Sequence, residues 1–301
     1  MKPGPEDERN ALGASIVVAT VIGLVGLGWG LATGSQLIVL DGAYAFVGVA
    51  VSWLMLLVSR VVGSGPSHPY PYGREALTPL VVGIQGFVLL GTLAYAAVGA
   101  VMALSRDVDT IPAGWALAYG VLSTVVSLGM WRRLQGGSAG SDLVASEAAA
   151  WQVSAYLGVG MVVAFGAMIA VEGTAWSGAA RYVDPVTVLT ASVLMAPTPL
   201  GMVRSTFVEM LEGAPPQAVR GPVMDAIAAM QVEFGLREPV VRMTKLGAKL
   251  YVEVDGAADP ATPIEREHEL RRWLEDRLAV LPLDVWLNFE LFPDDAPADE
   301  R

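Results

Sequence analysis

Long apolar runs constrain this chain more than any other feature. Six runs, each long enough to cross a bilayer, fill most of the sequence before residue 210: Ala11–Ala32, Ser35–Val58, Leu77–Leu104, Ala113–Trp131, Glu147–Val171 and Pro185–Val208. About 20 apolar residues in a helix span the hydrocarbon core. Because backbone groups in lipid must be satisfied within the segment, and the runs lack the alternation of a barrel, we predict an all-α domain of six membrane-spanning helices.

The composition agrees with this prediction and excludes several functions. Hydrophobic residues make up 53% of the 301 residues and charged residues 16%, whereas a soluble domain has about 25% charged residues. The net charge of −11 argues against a nucleic-acid partner, because phosphate binding depends on Lys and Arg. With no cysteine, two histidines and none of the common catalytic motifs, we do not expect an enzyme or a cofactor.

Basic residues in the connections predict the orientation. One side of the membrane is assigned six basic residues: Lys2, Arg9, Arg60, Arg74, Arg132 and Arg133. The other side is assigned two, Arg106 and Arg181. The positive-inside rule places both termini in the cytoplasm, and we expect an integral protein of the plasma (inner) membrane. The predicted organisation is a cytoplasmic segment at 1–10, a transmembrane domain at 11–213, a cytoplasmic domain at 214–293 and a disordered acidic tail at 294–301.

The pattern after Pro216 is that of a small soluble domain. It predicts a helix, two strands joined by a turn, a charged helix and a last strand: Ala218–Phe234, Val240–Thr244, Lys249–Asp255, Ile264–Val280 and Val285–Leu291. This order indicates a small cytoplasmic α+β domain of the ferredoxin-like type.

Asp41 is the most informative residue, because an ionisable group inside a span costs roughly 2.5 to 3.5 kcal/mol and usually has a function. The alternative is a carboxylate that bonds between helices or reaches outward. Its neighbours at four-residue spacing are Leu37 and Ala45, so no second carboxylate shares its face. We therefore predict that Asp41 is a transport-site residue that binds a proton or one cation.

The fifth span supplies two further transport-site candidates. Ser154 offers a hydroxyl within the membrane, although a serine in a span more often serves helix packing. Glu147 is predicted at the cytoplasmic start of the span, where a solvated carboxylate is the simpler account. Asp184 and Pro185 are predicted to be the N-cap and first residue of the sixth helix.

In the soluble part, three residues are metal-site candidates. Asp255 ends one predicted strand, Glu290 lies on another, and His268 lies on the charged helix. Oxygen-rich ligands would favour a hard or weakly held cation, and scattered surface residues are the alternative. His68 lies in a connection, and we expect it to be exposed.

Short motifs spread along nearly the whole chain have a definite order. They are Gly34-Ser35-Gln36, Leu40-Asp41-Gly42, Tyr70-Pro71-Tyr72-Gly73, Ala145–Ser154, Val183-Asp184-Pro185, Leu211–Pro216, Tyr251–Val254 and Glu267–Leu270. In this order and spacing they resemble the cation diffusion facilitator (cation efflux) family. The resemblance implies a tetrahedral metal site at the positions of Asp41, Ala45, Ala150 and Ser154. On this resemblance the chain would be a divergent member that lacks most metal ligands, and we do not expect it to transport Zn²⁺ by the four-ligand mechanism of the family.

The leading hypothesis is a secondary transporter of the facilitator type that exports a cation in exchange for protons. It would be a homodimer through its cytoplasmic domain and would contact membrane lipid. Asp41 would bind the cation and the proton, with Ser154 as an auxiliary ligand. The substrate is a hard divalent cation, or a monovalent or organic cation. The alternative is a transport-silent scaffold or regulatory partner, because Ala45 and Ala150 cannot coordinate a metal.

Overall fold

The computed structural model describes residues 5–33, 36–104, 113–137, 141–171, 180–237, 239–259 and 261–293. Within these ranges the chain forms helices α1 (Pro5–Thr33), α2 (Gln36–Val62), α3 (Leu77–Leu104), α4 (Ala113–Gly137), α5 (Asp142–Val171), α6 (Ala180–Met195), α7 (Pro197–Met210), α8 (Gln217–Phe234) and α9 (Ile264–Leu278). The strands are β1 (Val240–Leu246), β2 (Lys249–Ala258) and β3 (Asp284–Pro293). The chain divides into two compact units, which meet in the sequence between Thr206 and Phe207.

The first unit is a bundle of apolar helices. Five segments of the described residues are long and apolar enough to cross a membrane: Glu6–Trp29, Ala45–Val62, Leu77–Leu104, Asp142–Ala167 and Pro185–Met210. Large apolar side chains such as Val17, Phe87 and Val193 are exposed on their outer faces, as expected where lipid replaces water. The predicted fourth span is the helix α4, but it is not among the five, so the count of six spans stays a prediction.

Three helix starts differ from the predicted ones, because helices continue into polar residues beyond the apolar run. α1 begins at Pro5, where acidic residues in the first turn complement the helix dipole. α5 begins at Asp142, since Ser141 caps it by accepting a hydrogen bond from the backbone N–H of Val144 at 3.2 Å. α6 begins at Ala180, so Pro185 lies inside the helix and the predicted N-cap at Asp184 is wrong.

Small residues let the helices of the bundle approach closely. A Cβ atom added to Gly83 of α3 would lie 2.7 Å from the Cγ2 atom of Thr206 in α7. The hydroxyl of Thr206 donates a hydrogen bond of 2.9 Å to the carbonyl oxygen of Pro79. At Gly158 of α5 an added Cβ would overlap the side chain of Thr124 in α4. These contacts agree with the tight packing expected of membrane helices rich in Gly and Ala.

The second unit contains a mixed three-stranded sheet in the order β1-β2-β3. The strands β1 and β2 form an antiparallel hairpin that turns at Gly247, whose φ of +60° suits glycine. β3 pairs in parallel with β2 after the crossover helix α9. The helices α8 and α9 share one core with the face formed by Leu250, Val252 and Val254. The predicted order of elements is found, whereas the ferredoxin-like assignment stays a prediction.

Candidate functional site

A cavity of about 240 Å³ lies inside the first unit, lined by residues of α1 to α5. Ala45 of α2 and both Ala150 and Ser154 of α5 line it. The fold therefore brings together three of the four positions at which the family resemblance places ligands. Asp41, the fourth, lies on α2, but its side chain is outside the part of the chain that the structure describes.

Glu147 is the acidic residue among the described residues of the cavity wall, and it is only 3% exposed. Its predicted position as a solvated carboxylate at a helix start is wrong, because α5 begins more than a turn earlier. Its Oε1 atom accepts hydrogen bonds from the hydroxyls of Ser15 in α1, at 2.5 Å, and Ser52 in α2, at 2.7 Å. One carboxylate thus connects three helices.

The direction of these hydrogen bonds follows from Trp151. Its indole Nε1–H donates to the Oγ atom of Ser15 at 2.6 Å, and an indole nitrogen can only donate. Ser15 therefore accepts from Trp151, and its single hydroxyl proton is directed to Glu147. The Oγ atom of Ser52 has a second acceptor, the carbonyl oxygen of Gly48 at 3.0 Å, so its one proton is shared between two sites.

Two residues that line the cavity each have a buried side-chain oxygen that lacks a hydrogen-bond donor among the described residues. These oxygens are Oε2 of Glu147 and Oε1 of Gln85 in α3, whose side chain is 3% exposed. An unpaired buried acceptor costs roughly 1 to 3 kcal/mol, so such atoms normally bind water, a proton donor or a cation. A water molecule, a proton donor or a cation bound in the cavity would therefore be stabilised most by contact with these two oxygens.

Most of the other polar side chains around the cavity carry oxygen. They include the hydroxyls of Ser52, Ser123, Ser127 and Ser154. The described residues of the lining include no Lys, Arg or His, and the chain has no Cys. Such a lining suits a hard cation, since soft or borderline metals prefer nitrogen and sulfur.

A second carboxylate, about two turns from Ser15 along α1, connects the same three helical segments. Glu8 of α1 accepts hydrogen bonds from Ser59 of α2 and, at 2.5 Å, from Ser141, the residue that precedes α5. Ser15 and Glu8 are separated by two helical turns, or roughly 10 Å. The bundle therefore contains two layers in which one glutamate accepts from two serines, and we call them the Glu147 layer and the Glu8 layer.

Sequence reasoning missed Ser15, Ser52 and Gln85. Each is a single uncharged polar residue in an apolar run, a pattern more often explained by helix packing. One signal was present in the sequence. Glu8 and Ser15, like Ser52 and Ser59, are seven residues apart, which places the members of each pair on one helix face.

In the second unit the three metal-site candidates do not come together. Asp255 and Glu290 are paired across β2 and β3, but His268 is exposed on α9, which packs against the other face of the sheet. Asp255 instead forms an ion pair of 2.6 Å with Arg242. No group of three or more possible metal ligands occurs among the described residues, so these contacts do not support the predicted metal site.

An apolar helical bundle that contains a cavity with a buried carboxylate on its wall is the arrangement expected of a membrane transporter. A family model, the cation efflux transmembrane domain, matches residues 12–211, which is more than half of the chain. The protein therefore belongs to the cation efflux family, as the motifs predict, and the members of this family are cation transporters rather than enzymes. It is an integral membrane protein in contact with lipid. A comparison with curated proteins gives no significant match.

Proposed function

We propose that the protein is a secondary transporter that exports a cation in exchange for protons. The observation that supports this most directly is the cavity of about 240 Å³ inside an apolar bundle, with the buried carboxylate of Glu147 on its wall. A buried carboxylate in a membrane domain is costly, and it commonly marks an ion or proton pathway. Membership of the cation efflux family agrees with this function.

The proposed transport site includes Asp41, Glu147 and Ser154. Glu147 and Ser154 lie on the wall of one cavity, and Asp41 is one turn before Ala45, which lines the same cavity. Alanine at positions 45 and 150 rules out a tetrahedral site with four side-chain ligands at the family's positions. Transport by this protein therefore depends on carboxylate, hydroxyl and water oxygens.

In the proposed arrangement α4 is the remaining membrane span, both termini are cytoplasmic and the protein lies in the plasma (inner) membrane. Arg132 and Arg133 at the end of α4 would then lie on the cytoplasmic side, in agreement with the positive-inside rule. We propose that the cytoplasmic domains form a homodimer, because homodimers with two-fold symmetry are by far the commonest oligomers.

A flux assay tests this proposal. The purified protein is reconstituted in liposomes that contain a pH-sensitive dye, and Mg²⁺, Mn²⁺, Zn²⁺, Na⁺ and an organic cation are added in turn. We expect a proton flux that depends on one class of cation and falls in Asp41→Asn and Glu147→Gln. The absence of flux with every cation, from folded and inserted protein, would overturn the proposal and favour a scaffold or regulatory partner.

A further inference from the structure

Glu147 and Gln85 face one cavity from two different helices, and each has a buried oxygen without a donor among the described residues. We propose that Oε2 of Glu147 and Oε1 of Gln85 are ligands of a hard, oxygen-preferring cation. This site lies about one helical turn along α5 from Ala150, the position at which the family resemblance would place a ligand. The inference rests on the proposed transport function and names the class of its cargo.

The charge of the site favours a cation over a neutral ligand. Glu147 carries the carboxylate among the described residues of the wall, and no described Lys, Arg or His lines the cavity to balance it. A buried carboxylate without an opposite charge is strongly unfavourable, so a cation or a proton is needed to compensate it. The cavity volume of about 240 Å³ leaves room for a cation that keeps several of its waters.

The hydrogen bonds to Glu147 orient the carboxylate for this role. Ser15 and Ser52 both donate to Oε1, and Trp151 fixes the proton of Ser15 on that same oxygen. Oε2 is left without a donor among the described residues. A coordinating side chain that its neighbours already hold in one orientation binds a cation more tightly, because it loses less conformational entropy on binding.

The atoms that would bind the cation determine which class of cation the site prefers. A carboxylate, an amide oxygen and the nearby hydroxyls of Ser127 and Ser154 are the ligands preferred by cations such as Mg²⁺ and Mn²⁺. Zn²⁺ sites are commonly built from Cys and His, which the described lining lacks. Ala45 and Ala150 line the same cavity at the family's ligand positions, but alanine has no atom that coordinates a metal. Residues on neighbouring helical turns must therefore supply the oxygen ligands.

Binding is tested on the purified full-length protein by thermal unfolding at constant ionic strength, with Mg²⁺, Mn²⁺ or Zn²⁺ as probe. The variants are Glu147→Gln and Gln85→Leu. Their matched controls are Glu265→Gln, which makes the same change at an exposed position of α9, and Gln152→Leu, on α5 away from the cavity. A ligand that binds only the folded protein raises its unfolding temperature in a saturable way.

We expect Mg²⁺ or Mn²⁺ to stabilise the wild type at lower concentration than Zn²⁺. Glu147→Gln should weaken this binding at least about tenfold, since even residues behind a metal ligand contribute tenfold or more. Gln85→Leu should weaken it as well, while raising the unfolding temperature without cation, because an unpaired acceptor is removed. The controls should match the wild type. Stabilisation by Zn²⁺ alone, or equal binding in Glu147→Gln, would overturn the inference.

Flux measured on the same preparations separates this inference from the proposed function. Binding that depends on Glu147 without any flux would uphold the cation site and refute transport. A cation-dependent flux that Glu147→Gln leaves unchanged would uphold transport and refute the site. Proton movement that depends on Glu147 but on none of the cations would refute the site as well, since the carboxylate would then hold a proton alone.

Discussion

Trp151 of α5 donates a hydrogen bond of 2.6 Å to Ser15 of α1, and the two residues are 136 positions apart in the chain. Through this contact the hydroxyl proton of Ser15 is committed to Glu147. The indole of Trp151 thus helps to orient the buried carboxylate of Glu147 through Ser15. This dependence leads to the first prediction.

Trp151→Phe should lower the unfolding temperature, because Ser15 loses a buried donor. The expected cost is about 1 kcal/mol, the usual net value of one internal hydrogen bond. The control is Trp53→Phe on α2, whose side chain is 56% exposed. Thermal unfolding in detergent measures both variants. Equal effects of the two substitutions would show that the hydrogen bond to Ser15 contributes nothing specific.

Gly83→Ala should destabilise the bundle, whereas Gly91→Ala on the same helix should not. An added Cβ at Gly83 would lie 2.7 Å from Thr206, but a Cβ at Gly91 has no neighbour within 4 Å among the described residues. Alanine also favours a helix over glycine by about 1 kcal/mol, so Gly91→Ala is expected to be neutral or stabilising. Gly83→Ala should therefore lower the unfolding temperature, whereas Gly91→Ala should leave it unchanged or raise it. An equal decrease in both variants, or no decrease in Gly83→Ala, would contradict the packing of α3 against α7.

Ser141→Ala should loosen the first turn of α5. The substitution removes the cap on Val144 and the hydrogen bond to Glu8, and loss of a serine cap costs about 1 kcal/mol. Hydrogen exchange of residues 142–146 should become faster. Ser205→Ala is the control, since that exposed hydroxyl bonds only within its own helix in the described contacts. Unchanged exchange at 142–146 would mean that Ser141 does not hold the helix start.

Removal of metal ions should not change the second unit, because Asp255 is already paired with Arg242 at 2.6 Å. Hydrogen exchange of β2 should be the same with and without a chelator. Arg242→Gln should accelerate it, since Asp255 is largely buried and loses a charged partner. Glu269→Gln, which breaks an exposed pair with Arg266 worth roughly 0.2 to 0.5 kcal/mol, should have a smaller effect. Protection that falls on chelation would instead support a metal site at Asp255.

The sequence predicted the elements of the second unit well, because the alternation in β2 and the glycine at 247 are local signals. It predicted the starts of α5 and α6 poorly, since hydropathy reports the apolar part of a helix and not its polar extension. That error moved Glu147 to a helix end in the prediction. The contacts of Glu147 with Ser15 and Ser52 span 132 and 95 positions, and no local pattern reports such distant pairs.

The Glu147 and Glu8 layers have a consequence for movement of the bundle. α1 cannot separate from α2 and α5 without loss of the hydrogen bond from Ser15 to Glu147 and of both hydrogen bonds that Glu8 accepts. A rearrangement at that end is therefore cooperative: either both layers break in the same step, or the three helices move together while their neighbours shift around them.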